Sequence, residues 1–152
     1  MSQRHQRGFS LAELLVTAAI IGVIMVAVAP QFYNYFFAAA TKAAARELTA
    51  VLNRGRQLAI TRNGQVCIRT NSTDHVRFEL GCGSGVFWTG LGTDGQGWMT
   101  ITNEIRLIGP NPAVAFTNLG AAAPAGVFTL QNPTDGQTLT VTVAASGRIT
   151  IP

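Results

Sequence analysis

Residues 8–30 read Gly8-Phe9-Ser10-Leu11-Ala12-Glu13-Leu14-Leu15-Val16-Thr17, then AAIIGVIMVAVA, then Pro30. One charge, Glu13, interrupts an otherwise apolar run, and residues 14–29 carry none. Phe9 to Ala29 is 21 residues. As an α-helix such a run reaches roughly 30 Å, enough to cross the hydrocarbon core of a bilayer. A carboxylate inside the span costs about 2.5–3.5 kcal/mol on insertion scales, so Glu13 needs a partner or a function. No basic residue lies in the span to pair with it. The nearest complement is an amine released by cutting between Gly8 and Phe9, either its own or a neighbour's. Between two subunits in a low-dielectric core that attraction exceeds its value in water, although desolvation opposes it. Such a pairing would select one axial stagger between helices.

Outward from this stretch, residues 1–8, MSQRHQRG, are polar and basic. Arg4 and Arg7 before an apolar span predict a cytoplasmic N-terminus and an exported remainder. A rival reading is a secretory signal cut after Ala27-Val28-Ala29. Against it stand Glu13 within the run, the length of the run, Pro30 directly after the cut, and a helical pattern that continues unbroken. Pro30 is expected to remove one helix hydrogen bond and bend or loosen the helix locally. Beyond it, Leu48, Val51, Leu52, Leu58 and Ala59 recur at helical spacing and predict one apolar stripe. Arg46, Asn53 and Arg56 point elsewhere, Gly55 sits beside the stripe where it permits close packing, and Asn63-Gly64 is a stop signal. The expected helix runs from about residue 9 to about residue 62.

After Gly64 the apolar period changes to two. Val66-Cys67-Ile68, Val76-Arg77-Phe78-Glu79-Leu80, Ile105-Arg106-Leu107, Val127-Phe128-Thr129-Leu130, Leu139-Thr140-Val141-Thr142-Val143 and Ile149-Thr150-Ile151 read as short strands. Turn signals at Thr134-Asp135-Gly136 and Ala145-Ser146-Gly147 make the last three an antiparallel meander. Residues 109–126 read as a loop with one short strand. The expected class is α+β: a long N-terminal transmembrane helix packed on a C-terminal antiparallel β-sheet or β-sandwich. The expected segments are a leader at 1–8, a membrane and assembly helix at 9–29, a second helical half at 30–63 and a β-rich domain at 64–152.

The run from Gly8 to Leu15 resembles the class III signal of type IV pilins and pseudopilins. That resemblance implies a pilin-like fold and a prepilin peptidase that cuts after Gly8 and methylates Phe9. It also implies a role for Glu13 in assembly and for Pro30 in bending the helix. Further along, Ala45-Arg46-Glu47-Leu48 and the run Asn53 to Gly64 are similar to the helix end of the type II secretion H / fimbrial T family of minor subunits. So are Val66-Cys67-Ile68, Gly97-Trp98, Glu104-Ile105-Arg106-Leu107 and Ser146-Gly147-Arg148-Ile149. The implied partners are prepilin peptidase, the inner membrane and other minor and major pilin or pseudopilin subunits. The implied location is a single-pass bacterial inner-membrane protein with a periplasmic domain, later part of a pilus or pseudopilus. Its part there would be priming or tip assembly. DNA-binding fimbrial T members carry a C-terminal Gly-Arg-x-Arg pattern. Here Gly147-Arg148-Ile149-Thr150 keeps the first arginine and lacks the second, so DNA uptake is the less favoured alternative.

Composition adds bounds. Charged residues are 12%, against about a quarter in a soluble domain. The net charge is +4 with Arg4 and Arg7 in the leader, so the remainder is only mildly basic. Cys67 and Cys82 fall in the exported region and form a candidate disulfide; the alternative is two buried thiols. With one distant His75 in addition, they make no metal ligand set, and no cofactor is called for. Gly90-Leu91-Gly92-Thr93-Asp94-Gly95 fits a dinucleotide pattern but opens no helix and sits in no βαβ unit, so it reads as a glycine-rich turn. His75 beside Asp74 makes no catalytic triad, which needs convergence rather than adjacency, and the chain reads as a non-enzyme. Arg62, Arg69, Arg77 and Arg148 are the candidate DNA contacts. The competing reading has the arginines solvated or paired with Glu47, Asp74, Glu79 and Glu104, and Trp88 and Trp98 in the core. Clustering of the four arginines on one face would favour DNA.

Overall fold

The computed structural model describes residues 10–71, 73–101 and 105–152. Among these residues one helix, α1 (Leu11–Thr61), precedes eight strands: β1 (Val66–Thr70), β2 (His75–Leu80), β3 (Met99–Thr100), β4 (Arg106–Ile108), β5 (Ala115–Phe116), β6 (Gly126–Gln131), β7 (Thr138–Val143) and β8 (Ile149–Thr150). The chain divides into two compact units, one ending at Phe36 and one spanning Phe37–Pro152.

The first unit is helical in its described part. Ser10 caps α1, its Oγ accepting the Glu13 backbone N–H at 3.2 Å, which satisfies one of the orphan donors of a helix start. The helix passes through Pro30. Leu11–Val28 is long and apolar enough to cross a membrane. The one hydroxyl there with a neighbouring carbonyl, Thr17 Oγ1, donates to the Leu14 carbonyl at 3.0 Å.

In the second unit α1 buries a stripe of Ala44, Ala45, Leu48, Leu52, Gly55 and Ala59, spaced by three and four as one helical face requires. Gly55 permits the close approach. A Cβ there would lie 2.8 Å from Ile68 Cδ1 and 3.0 Å from Phe78 Cε1, so the helix seats directly on β1 and β2. The helix stops at the Asn63-Gly64 signal. Asn63 adopts φ 49°. Its N–H reaches the Ile60 carbonyl and the Gly64 N–H the Ala59 carbonyl, the paired bonds of a Schellman turn.

The strands form two antiparallel sheets of four, ordered β3-β2-β1-β5 and β4-β6-β7-β8. The C-terminal meander is β6-β7-β8, with Phe128 opposite Val141 and Val143 opposite Ile149. Val66, Ile68, Val76 and Phe78 from the first sheet join Leu107, Phe128, Leu130, Val141 and Val143 from the second in one buried cluster with the helix stripe. The sequence reading missed β3, whose two residues are too short to show a period. It placed the strand at 105–107 one residue early, since β4 is Arg106–Ile108.

Candidate assembly helix and arginine-bearing face

Two regions carry candidate chemistry. On α1, Glu13 is exposed in the first turn and every side chain from Ser10 to Val28 is likewise exposed. An acidic residue in a first turn is favoured by the positive end of the helix dipole, so Glu13 is locally compatible with the helix as well as available to an outside partner. Ser10-x-x-Glu13 is the sequence form of a capping box, a signal the sequence reading passed over. The cleavage candidates Gly8 and Phe9 lie outside the described residues. Pro30 is described only as a helical residue, so its bending role stays an expectation.

On the β-domain, alternation along β1 and β2 sends Val66, Ile68, Val76 and Phe78 inward and Cys67, Arg69, His75, Arg77 and Glu79 to the opposite face. Cys67, opposite Glu79 in register, is joined to Cys82 by a disulfide. Glu79 is 4% exposed. Arg69 Nε donates to its Oε2 at 2.8 Å and the Gly85 N–H to its Oε1 at 3.0 Å. Burial acts to raise the pKa of this carboxyl. The Gly85 N–H, the Arg69 guanidinium and the Gly83 N–H outweigh it and hold the group below its ordinary value. Arg69 lies directly across the ladder from Arg77. Arg77 takes a different partner: its guanidinium sits 3.6 Å from the Phe87 ring centroid and 4.2 Å from that of Trp98. Arg54 of α1 stacks on Trp88 at 4.4 Å. Both stacks place a guanidinium on an aromatic face.

The four candidate DNA contacts come from three parts of the fold. Arg69 and Arg77 share one sheet face and are engaged there. Arg62 lies one residue past α1, and Arg148 closes the β7–β8 turn, its N–H bonded to Ser146 Oγ. Beside that turn Arg56 Nε donates to the Gly120 carbonyl at 2.8 Å, under Gly147. Of the expected acidic partners, Glu79 takes Arg69 while Asp74 Oδ1 meets His75 Nδ1. Glu104 lies outside the described residues. Trp88 packs against the core and Trp98 is half-buried. Arg54 as a ring partner was missed because nothing in sequence links it to Trp88. Only the seating of α1 on β1 and β2 brings them together.

Two family models match the chain. One, the prokaryotic N-terminal methylation motif, covers residues 3–29; the other, type II transport protein GspH, covers residues 44–147. The chain belongs to the GspH family. Solved structures agree in fold. The Pseudomonas aeruginosa type IV minor pilin FimU is similar at TM-score 0.55 and 20% identity, over 74% of this chain and 87% of that one. The minor pseudopilin EpsH from the Type 2 Secretion System of Vibrio cholerae is similar at TM-score 0.55 and 13% identity, over 74% and 95%. GspH membership places the chain among pilin-like structural subunits with a membrane-anchoring N-terminal helix, and its α+β architecture follows theirs.

Proposed function

We propose that this GspH-family chain is a minor filament subunit that primes or tips a pseudopilus or pilus. In this reading residues 1–8 are a leader removed by prepilin peptidase, and Phe9 becomes the methylated terminus. Residues 9–29 hold the chain in the bacterial inner membrane. Residues 30–63 carry the helix into the periplasm, and residues 64–152 form the exposed domain. The carrying observation is the apolar, wholly exposed face of α1 from Ser10 to Val28, opened by the exposed Glu13. It is too long and too apolar to stay in water. First lipid and then the helices of neighbouring subunits would cover it, with Glu13 meeting the amine of another subunit. Pro30 would soften the helix for packing in that bundle.

A type II secretion pseudopilus and a type IV pilus both fit, since relatives of each kind share the fold. DNA uptake is less supported. Arg69 and Arg77 are engaged within the domain.

The test is the N-terminal sequence and intact mass of the protein from native membranes, followed by filament incorporation of Glu13→Val. A start at methylated Phe9, with normal processing but no incorporation of the variant, is expected. A start at Pro30, or normal incorporation of the variant, would overturn the reading.

A further inference from the structure

The chain concentrates its rings just past the apolar span. Both of its tyrosines and three of its eight phenylalanines fall within residues 32–37, Phe32-Tyr33-Asn34-Tyr35-Phe36-Phe37. Phe78, Phe116 and Phe128 are fully buried in the β-domain, whereas Phe32, Tyr35 and Phe36 are 68%, 75% and 73% exposed. Exposed rings in a group call for a partner, because each carries a large apolar area. These three stand at i, i+3 and i+4 of α1, so they share one face of the helix. Gln31 and Asn34 set amides between the rings in sequence, and no charged residue follows Glu13 until Lys42. Rings, amides and hydroxyls without a charge match neither hydrocarbon nor bulk water.

Their position names the layer that does match. The apolar span is Leu11–Val28, and a helix rises about 1.5 Å per residue. The hydrocarbon core of a bilayer is about 30 Å thick and the whole bilayer about 40–45 Å, which leaves a headgroup zone of roughly 5–8 Å on each side. A helix entering the core at Leu11 leaves it near residue 30 and carries Phe32 to Phe36 through roughly the next 3–9 Å. Amphipathic rings are favoured at that level. A second marker agrees. Glu13 lies 19 positions before Phe32, about 28 Å along a helix and close to one core thickness. With the rings at one interface, Glu13 reaches the other. A carboxylate is most costly at the bilayer centre, so this placement suits both groups at once. Sliding the helix one way would sink the rings, and sliding it the other way would draw Glu13 into hydrocarbon.

We propose that Phe32, Tyr35 and Phe36 form an interfacial anchor. They seat among the lipid headgroups on the C-terminal side of the span and, with Glu13 at the opposite interface, fix the depth of the helix before assembly. The partner is the headgroup layer of a bilayer, because the stripe continues the apolar span and lies at headgroup distance from it. The inference rests on the reading of residues 9–29 as membrane-embedded.

The experiment reconstitutes the full chain in phosphatidylcholine–phosphatidylglycerol vesicles whose acyl chains carry bromine either beside the headgroup or at the bilayer centre. Leu11→Trp, Ile21→Trp and Tyr35→Trp each place one fluorescent depth probe, and the wild type supplies the background of Trp88 and Trp98. Leu11→Trp and Tyr35→Trp should be quenched mainly by the shallow bromine, and Ile21→Trp mainly by the deep one. In the Leu11→Trp chain, adding Phe32→Ser, Tyr35→Ser and Phe36→Ser should cause a loss of shallow quenching, because the helix is then free to slide toward its charged end. Adding Phe32→Tyr and Phe36→Tyr instead should retain it. If Tyr35→Trp is quenched by neither lipid, or mainly from the centre, while Ile21→Trp is still quenched from the centre, the anchor falls and the membrane span stands. An unchanged depth at position 11 in the serine variant would also overturn the anchor. If that same variant failed to enter filaments, the stripe would be a contact between subunits instead. No quenching at any of the three positions would sink the membrane reading and the anchor together.

Discussion

The two parts of α1 differ in where they find cover. After Glu13, between Leu14 and Val28, the helix is apolar all round, and all of its side chains are exposed. Between Thr41 and Ala59 it is amphipathic, burying Ala44, Ala45, Leu48, Leu52 and Ala59 and leaving Lys42, Arg46 and Asn53 in solvent. A helix that is apolar on every side lacks a single face for a domain to cover, whereas a stripe demands one partner on one side. The second part finds that partner in its own sheets, and Gly55 brings it into contact with Ile68 and Phe78. The first part offers no such single face, and in the filament reading its cover comes from lipid and neighbouring helices.

That contrast is sharpest in a pair of like substitutions. Leu52 is fully buried and Ile20 is 55% exposed. Leu52→Ala should destabilise the folded domain by about 2–5 kcal/mol, the range for truncating a buried leucine. Ile20→Ala should change it by less than about 0.5 kcal/mol. Thermal unfolding of the full chain in detergent, followed through Trp88 and Trp98, reads both. Equal losses in the two variants would mean that the domain covers the apolar part of the helix after all, and the division drawn here would fail.

Much of this was legible in the residues because periodicity is a local property. The spacing of Leu48, Leu52 and Ala59, the Asn63-Gly64 stop and the alternation in β2, β6 and β7 all report on neighbours within a few positions. The apolar span and its lone Glu13 were legible for the same reason. What escaped depended on long-range closure. β3 is two residues held by pairing His75 with Thr100 and Val76 with Met99, and no two-residue segment carries a period. The stacking of Arg54 on Trp88, and of Arg77 between Phe87 and Trp98, needs the helix, the sheet and the loop in place first. The candidate DNA set shows the same limit: a list of arginines gives charge, while only the register shows that Arg69 and Arg77 face each other and are already occupied.

The disulfide extends the comparison, because a covalent tie can act only on the part of the chain that folds on itself. Cys67 and Cys82 are separated by 15 positions, and closing a loop of that size contributes about 3 kcal/mol on the chain-entropy account. Replacing both by alanine should lower the domain's stability by about 2–4 kcal/mol and leave processing at Gly8 unchanged. The reduced wild type should unfold along the variant's curve, and reductant should leave the variant's own curve unchanged. A reductant effect that persists in the double variant would assign the loss to something other than this bond.

The smallest expected effect contrasts the chain's two most informative carboxylates. Glu13 stands exposed, and its proposed partner lies on another molecule. Glu79 is satisfied at home, by Arg69 and by the Gly85 N–H. Its folded pKa lies below the ordinary 4.5. The folded state therefore binds the Glu79 proton more weakly than the unfolded chain does. The stabilisation is complete above the ordinary value and is lost as pH falls through the lower folded value. Arg69 is 43% exposed, so the pair is partly screened and its contribution should be held to about 1 kcal/mol. The gap in stability between the wild type and Glu79→Gln should accordingly stay flat from neutral pH to about pH 5 and narrow on further acidification. A gap that stays constant through pH 3, or widens, would mean that Glu79 is held by packing alone. The home-satisfied carboxylate would then no longer mark the self-contained part of the chain by its charge.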